Sequence, residues 1–174
     1  MSGLSIDPGK KGAAVFWEKQ RPHIIISFYH TPNYASELFL CCTLFQPERI
    51  AKEKVNAIRG QGLSSSSVLL RHDERVKTVL DIHGAPYDEL IPTQWQRLLG
   101  VPHFHEIIDE EKRRAERLKW LKAWALKTYP ELAEWDKPKP IPGEFTSKGK
   151  PKRETPDIWA AVAIGAAILQ SKIN

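Results

Sequence analysis

The sequence lacks a long apolar run, and its first residues lack the pattern that is typical of a secretory signal. No stretch of its 174 residues approaches the ~18 to 20 apolar residues that a membrane span needs. The first residues, MSGLSIDPGKKG, do not have the basic-then-apolar order of a secretory signal and are typical of a strand that begins at once. We therefore expect a cytoplasmic protein with no membrane partner.

Cysteine is also scarce, and its placement excludes two kinds of site. Cys41 and Cys42 are the two cysteines of the chain, and they are neighbours. Neighbouring cysteines rarely form a disulfide. They also lack the intervening residues that separate the ligands of a thiolate metal site. We expect both to be reduced residues of a helix or core.

The charge is positive but unevenly distributed. A net charge of +5 and a pI near 9.2 suggest a polyanionic partner only weakly. The basic residues concentrate at 112–127, with seven Lys or Arg against one Glu, and at 137–153, with six against one. A solvated helix face and a disordered loop explain the same charges unless a nucleic-acid site lies nearby.

The apolar pattern predicts an α/β fold. Three strands joined by short turns must form an antiparallel meander, because a parallel pair needs a longer crossover. We predict these strands at 3–7, 13–17 and 23–29, and later strands at 49–55 and 89–91. Predicted helices cover 33–45, 63–83, 93–99 and 106–129. This order predicts a mixed five-stranded sheet, three strands antiparallel and then two parallel, with helices on both faces.

The C-terminal part contains a predicted loop and a last helix. Residues 130–153 are rich in proline, lysine and glycine, which indicates a flexible loop. Thr155 is a suitable helix cap, Pro156 suits the first helical position, and Asp157 suits the first turn. We see no internal repeat, and we expect residues 1–174 to form a single domain.

Asp7 is the first candidate site residue. It ends an apolar strand and precedes Pro8-Gly9, at the sheet edge where open α/β sheets place their sites. Asp-Pro-Gly also forms a good turn without any function. The pattern D-P-G-x-x-G-A at 7–13 further resembles the first phosphate loop of actin-like ATPases.

Glu53 lies near the end of the fourth predicted strand. If the helical crossover 33–45 makes that strand parallel to the first, Glu53 and Asp7 emerge at the same sheet edge. An exposed glutamate paired with Lys52 or Lys54 is the alternative interpretation.

Glu154 and Asp157 form the third acidic element. They are three residues apart at the start of the last helix, where an acid could simply complement the helix dipole. Taken with Asp7 and Glu53, however, they supply hard oxygen ligands near one edge. Such ligands suit Mg²⁺ or Mn²⁺ rather than zinc. Two such ions can activate water and stabilise the leaving oxygen in phosphodiester hydrolysis.

Four segments carry a resemblance to a known family. They are S-I-D-P-G-K-K-G-A at 5–13, E-K-V-N-A-I-R-G-Q-G-L-S-S at 53–65, I-P-T-Q-W-Q-R-L-L-G at 91–100 and E-T-P-D-I-W-A-A-V-A-I-G-A-A at 154–167. In this order they resemble the RuvC-like Holliday junction resolvases of the ribonuclease H-like superfamily, in particular the variant carried by bacteriophages. The cellular enzymes have an aromatic residue three positions after the second acid, where this chain has Asn56.

The resemblance implies a function and a set of site residues. It implies a homodimer that resolves four-way DNA junctions by paired nicks, with two Mg²⁺ ions per site, for which Mn²⁺ substitutes, and no nucleotide cofactor. Asp7, Glu53 and Asp157 match the metal-binding carboxylates, and Glu154 matches a fourth. Lys112 falls where the family has a basic residue on the cleaved strand. Our full set of predicted DNA contacts is Lys10, Lys11, Arg59, Gln61, Ser64, Ser65, Lys112 and Arg113.

Three other functions remain open at this point. The chain could be a less selective nuclease for flaps and forks, or a non-catalytic DNA-binding module with the same fold. An actin-like ATPase is disfavoured, because such proteins need two domains of this kind and a second phosphate loop. Trp120 and Trp124 could stack on bases, but packing against the sheet or a dimer partner is the favoured interpretation.

Overall fold

The computed structural model describes residues 2–55 and 63–170. The strands are β1 (Ser2–Asp7), β2 (Ala13–Glu18), β3 (Arg21–Ser27), β4 (Arg49–Glu53), β5 (Asp88–Leu90), β6 (Lys139–Phe145) and β7 (Pro151–Glu154). The α-helices are α1 (Tyr34–Phe45), α2 (Leu63–His83), α3 (Pro92–Leu98), α4 (Glu110–Thr128) and α5 (Trp159–Gln170), and a 3-10 helix spans Pro130–Asp136. No helix in the described ranges is long and apolar enough to cross a membrane.

The main sheet has the predicted topology. Its five strands lie in the order β3-β2-β1-β4-β5, with β1, β2 and β3 antiparallel and with β4 and β5 parallel to β1. Short turns join the first three strands, whereas α1 and α2 provide the crossovers that parallel pairing needs. The prediction of a mixed five-stranded α/β sheet is therefore confirmed.

Side chains alternate between two cores, one on each face of the sheet. On one face Leu4 and Ile6 of β1 join a cluster that includes residues of α1 and α2. On the other face Val15 and Trp17 of β2 join a cluster that includes residues of α3, α4 and α5. Because successive side chains of a strand point to opposite faces, Ser5 and Asp7 are directed toward the face that carries α5.

Helix α5 is buried all round, and it packs very closely on the sheet. Every residue from Ala161 to Leu169 is buried. Ser5 Oγ donates a hydrogen bond to the carbonyl of Ala161 at 2.7 Å and accepts one from Trp17 Nε1 at 2.8 Å. A Cβ at Gly165 would lie 2.1 Å from Trp17 Nε1, so only glycine permits this approach.

The prediction of a flexible loop at about 130–153 is wrong, because regular elements occupy much of this range. A 3-10 helix occupies its start, and β6 and β7 then pair as a separate antiparallel two-stranded sheet. Prolines can occupy such a sheet because each of its strands has a free edge, where no ladder hydrogen bond is lost. Gly143 and Gly149 adopt positive φ angles of 75° and 70°, which accommodate the irregular ladder and the turn.

The start of the last helix also differs from the prediction. Val162 N donates to the carbonyl of Ile158, and α5 begins at Trp159 rather than at Pro156. Asp157 therefore lies two residues before the helix instead of in its first turn. Helix α4 likewise begins at Glu110, where Asp109 caps it by accepting a hydrogen bond from Lys112 N at 3.0 Å.

Candidate active site

Asp7 is held in a tight turn at the end of β1. Its Oδ1 accepts a hydrogen bond from Gly9 N at 3.0 Å, and Gly12 N donates to the carbonyl of Gly9 at 2.8 Å. A Cβ at Gly12 would lie 2.0 Å from the carbonyl oxygen of Asp7, so the turn requires glycine there. The turn interpretation of Asp-Pro-Gly is thus correct, but it leaves the carboxylate half-buried at the sheet edge. Burial raises the pKa of Asp7.

Glu53 ends β4 beside Asp7. The parallel register pairs Ile6 with Lys52, and Asp7 and Glu53 are the next residues along their strands. Neighbouring strands lie about 4.8 Å apart, so the two carboxylates leave the same edge of the sheet on the same face. Trp95 Nε1 of α3 donates a hydrogen bond to Glu53 Oε2 at 3.0 Å. Burial, followed by the charge of Asp7, raises the pKa of Glu53 to about 7.

Lys52 does not form the exposed ion pair with Glu53 that was the alternative interpretation. It is fully buried on the opposite face of the sheet, where its Nζ contacts Asp73 at 2.5 Å and Glu89 at 2.9 Å. The same Nζ donates to the backbone carbonyl of Glu53 at 3.1 Å. Lys52 therefore contacts the end of β4 from the opposite face of the sheet, while the Glu53 carboxylate remains on the face with Asp7.

Asp157 approaches the two acids from the segment before α5. Burial raises its pKa to about 6, and the next cause is the charge of Asp7. Among the described residues, its buried Oδ1 has no hydrogen-bond partner. A buried carboxylate oxygen without a partner is costly. It is therefore a candidate position for a cation.

Arg114 of α4 is the basic residue that the sequence analysis missed. Its charge lowers the pKa of Asp7, Glu53 and Asp157 alike, against the effect of burial. The sequence contained a signal for it, because Leu118 and Leu121 of the apolar stripe of α4 extend back by one turn to position 114. Arg114 thus lies one turn before Leu118 on α4, exposed but close enough for its charge to act on the three acids.

Glu154, the fourth predicted acid, has a cation of its own. It ends β7 and forms an ion pair with Lys11, with side chains 34% and 54% exposed. His30 Nε2 also lies 3.1 Å from the backbone oxygen of Glu154. Glu154 is therefore at the same edge as Asp7, but its carboxylate is engaged with the turn that follows β1.

The donor set fits a magnesium ion, although no ready-made cage is formed. Within residues 2–55 and 63–170, no three His, Cys, Asp or Glu side chains converge as a metal site. Mg²⁺ retains several waters and takes only one or two protein carboxylates directly, so it does not need such a cage. Asp7 and Asp157 supply the hard oxygens it prefers, and the partnerless Oδ1 of Asp157 is one of them.

The comparisons with known proteins agree with this architecture. No family model matches the sequence, and no curated protein matches it. RuvC of T. thermophilus, solved in complex with a Holliday junction substrate, superposes with a TM-score of 0.53 and 14% identity over 100% of this chain and 97% of that one. The chain has the RuvC fold. A second structure of Thermus thermophilus RuvC matches with a TM-score of 0.49 and 15% identity over 99% of this chain and 96% of that one.

The structure describes the side chains of four of the eight predicted DNA contacts. Lys10 and Lys11 lie in the turn after Asp7, each with Nζ 5.5 Å from the ring centroid of Tyr29. Lys112 is exposed and lies about 200° around α4 from Arg114. Arg113 is occupied, because its Nε and Nη2 donate to the carbonyl of Ile107 at 3.0 and 2.7 Å.

The remaining predicted contacts cannot be placed. Arg59 and Gln61 lie outside the described residues, and so do the side chains of Ser64 and Ser65 at the start of α2.

The two tryptophans of α4 pack on the core, as the favoured interpretation predicted. Trp120 and Trp124 are partly buried against the cluster that includes α5. Their rings are nearly parallel, with centroids 6.3 Å apart.

Proposed function

We propose that this protein is a structure-selective endonuclease that resolves Holliday junctions by metal-dependent, paired phosphodiester nicks. Asp7, Glu53 and Asp157 are its catalytic carboxylates. The observation that carries the proposal is the parallel register of β1 and β4, which puts Asp7 and Glu53 side by side at one sheet edge. Asp157 comes from a distant part of the chain to the same place, where burial and then the charge of Asp7 raise its pKa. Half-buried acids that lie this close together are destabilising unless something positive joins them.

The positive partner we propose is magnesium, with manganese as a substitute and two ions per site. Two ions would activate water and stabilise the leaving oxygen of a phosphodiester. In this proposal Asp7, the acid whose charge acts on both of the others, would contribute to holding both ions. Glu154 would join as a fourth ligand once Lys11 turns from it to a DNA phosphate.

The basic residues around the acids have their own roles in this proposal. Arg114 offsets part of the negative charge of the three acids, and so favours their ionised, ligand-competent form. Lys10 and Lys11 extend from the turn after Asp7, where a scissile phosphate would approach. Lys112, exposed on α4, would contact DNA farther along the strand.

Symmetric cleavage needs two active sites, and we therefore propose that a homodimer acts on the junction. The T. thermophilus RuvC of the same fold is bound to a Holliday junction substrate, which supports branched DNA as the partner. A single protomer would make unpaired nicks.

Cleavage of defined DNA structures tests the proposal. A labelled immobile four-way junction, a fork and a linear duplex are incubated with the protein, with Mg²⁺ or with chelator. We expect paired, metal-dependent nicks in the junction. Asp7→Asn, Glu53→Gln and Asp157→Asn should bind the junction and lower cleavage by at least 100-fold, since even outer-shell changes cost about 10- to 100-fold. Glu18→Gln, exposed at the end of β2, is the matched control.

The other outcomes separate the alternatives. Full activity in the three acid variants would refute the mechanism. Equal cutting of the fork and the junction would indicate the less selective nuclease. Junction binding without metal-dependent cleavage by the unaltered protein would indicate the non-catalytic module.

A further inference from the structure

The β6–β7 hairpin presents an aromatic side chain to solvent. Phe145, the last residue of β6, pairs with Pro151 and is 65% exposed. A closed turn follows, in which Thr146 N donates to the carbonyl of Lys150 at 2.8 Å and Gly149 N to the carbonyl of Thr146 at 2.9 Å. The ring therefore stands at the base of an ordered turn rather than in an extended tail.

The hairpin is attached to the same sheet edge as the three acids. Tyr29, which follows β3, donates its hydroxyl to Glu144 Oε1 at 2.9 Å, next to Phe145. At the other strand, Glu154 pairs with Lys11 of the turn after Asp7. Two independent contacts thus fix both strands of the hairpin beside the candidate active site.

The charge of the hairpin is complementary to a polyanion. From position 139 to 154 it carries five basic residues and two acidic ones. Both acids are engaged, Glu144 with Lys152 at 2.9 Å and Glu154 with Lys11. Lys148 and Lys150 of the turn are exposed beside the Phe145 strand end.

The distance from Phe145 to Glu154, the acid that ends β7 and pairs with Lys11 of the turn after Asp7, matches a few nucleotides. Its pairing partner Pro151 is three residues before Glu154, and three extended residues span about 10 Å at roughly 3.3 Å each. One nucleic-acid strand rises about 3.4 Å per stacked nucleotide, so this distance covers roughly three steps. A strand held beside Glu154 and Lys11 would pass the exposed ring within that reach.

We propose that the β6–β7 hairpin is a strand-binding arm in which Phe145 stacks on an unpaired base about three nucleotides from the cleaved bond, while Lys148 and Lys150 hold the flanking phosphates. An aromatic ring stacks on any base, and the lysines recognise only the backbone, so the arm selects unpaired DNA without reading its sequence. This inference rests on the proposed nuclease function, and it identifies the part of the protein that binds unpaired DNA next to the active site.

Equilibrium binding in chelator tests the arm without cleavage. Fluorescence anisotropy measures the Kd for a labelled single-stranded oligonucleotide and for a duplex of the same length. Phe145→Ala should weaken single-strand binding by roughly 5- to 100-fold, the effect of losing one stacked base. Duplex binding should stay within about twofold, and Phe145→Trp should retain single-strand affinity. Leu44→Ala, which removes a side chain 68% exposed on α1, is the control.

The lysines and the DNA provide two further readouts. Combined Lys148→Ala and Lys150→Ala should weaken both DNA forms and reduce the slope of log Kd against log salt by about 1.4 on the single strand. An abasic site in the stacked position should weaken the unaltered protein but leave the affinity of Phe145→Ala unchanged.

Two results would overturn the inference. One is equal single-strand affinity of Phe145→Ala and the unaltered protein, and the other is an equal loss on single strand and duplex. Because chelator prevents metal-dependent cleavage, the arm and the nuclease are judged separately. If the unaltered protein cleaves the junction and Phe145→Ala leaves single-strand affinity unchanged, the arm alone is refuted. If Phe145→Ala selectively weakens single-strand binding but the unaltered protein never cleaves the junction, the nuclease function alone is refuted.

Discussion

Replacing Glu53 by glutamine should stabilise the metal-free protein, and by an amount that depends on pH. Burial and the charge of Asp7 raise the pKa of Glu53 from 4.5 to about 7 in the folded protein. Below pH 4.5 the carboxyl is protonated in both the folded and unfolded chains, and no stability is lost. As the pH rises to 7 the unfolded chain releases this proton while the folded one retains it, so the free energy of unfolding falls.

The magnitude follows from the size of the shift. A rise from 4.5 to about 7 corresponds to about 3 kcal/mol, at 1.36 kcal/mol for each pH unit. Glutamine carries no charge and can still accept the hydrogen bond from Trp95. We therefore expect Glu53→Gln to be about 3 kcal/mol more stable than the unaltered protein at pH 8, and equally stable at pH 4. In a domain of this size the gain raises Tm by about 6 to 12 °C.

Urea unfolding followed by circular dichroism, in chelator at pH 4 and pH 8, measures this difference. Glu18→Gln is the control, because it removes the same charge from an exposed position on β2. If Glu53→Gln leaves the stability at pH 8 unchanged, the pKa of Glu53 is not raised in the folded protein. A gain of the same size at pH 4 would show that the effect is not the ionisation of Glu53.

Three further predictions concern packing and charge. Gly165→Ala should lower the free energy of unfolding by about 1–3 kcal/mol, because its Cβ would lie 2.1 Å from Trp17 Nε1. Lys52→Met should lower it by about 3 kcal/mol, because the buried Asp73 loses its contact at 2.5 Å. Arg114→Ala should raise the pKa of Glu53 further above 7, as carboxyl NMR titration would show, since the Arg114 charge lowers it now.

Each of these predictions has a matched control. Gly3→Ala should not lower the free energy of unfolding by a steric clash, because a Cβ at this position would lie at an ordinary van der Waals distance of 3.5 Å from its nearest atoms. Lys54→Met removes an exposed neighbour of Lys52, and Arg117→Ala removes a cation three residues from Arg114 on the same helix. Equal effects of a variant and its control would contradict the corresponding prediction.

Much of the fold could be predicted because it depends on local sequence signals. Short turns after Asp7 and Glu18 force the antiparallel meander, and the helix before β4 forces its parallel pairing. The positions of Asp7 and Glu53 at the ends of their strands then follow from the strand order alone. This is why three acids far apart in the sequence could be assigned to one edge.

The hairpin and the buried lysine could not be predicted because they depend on distant partners. The β6–β7 strands are rich in proline and charge, and contacts such as that between Tyr29 and Glu144 help to hold them in place. Lys52 shares the inward face with Ile50 by simple alternation, but a buried lysine is acceptable only when acids such as Asp73 and Glu89 meet it.

The hydrogen bond between Ser5 and Ala161 has a consequence for how the chain folds as it is synthesised. Its two ends are separated by 156 residues, which a ribosome at about 5 to 20 residues per second adds in roughly 8 to 30 s. Until α5 emerges, one face of the sheet lacks the helix that packs directly on β1, and Asp157 has not reached Asp7. A nascent chain therefore cannot bring Asp157 to Asp7 before its last helix is available to pack on the sheet.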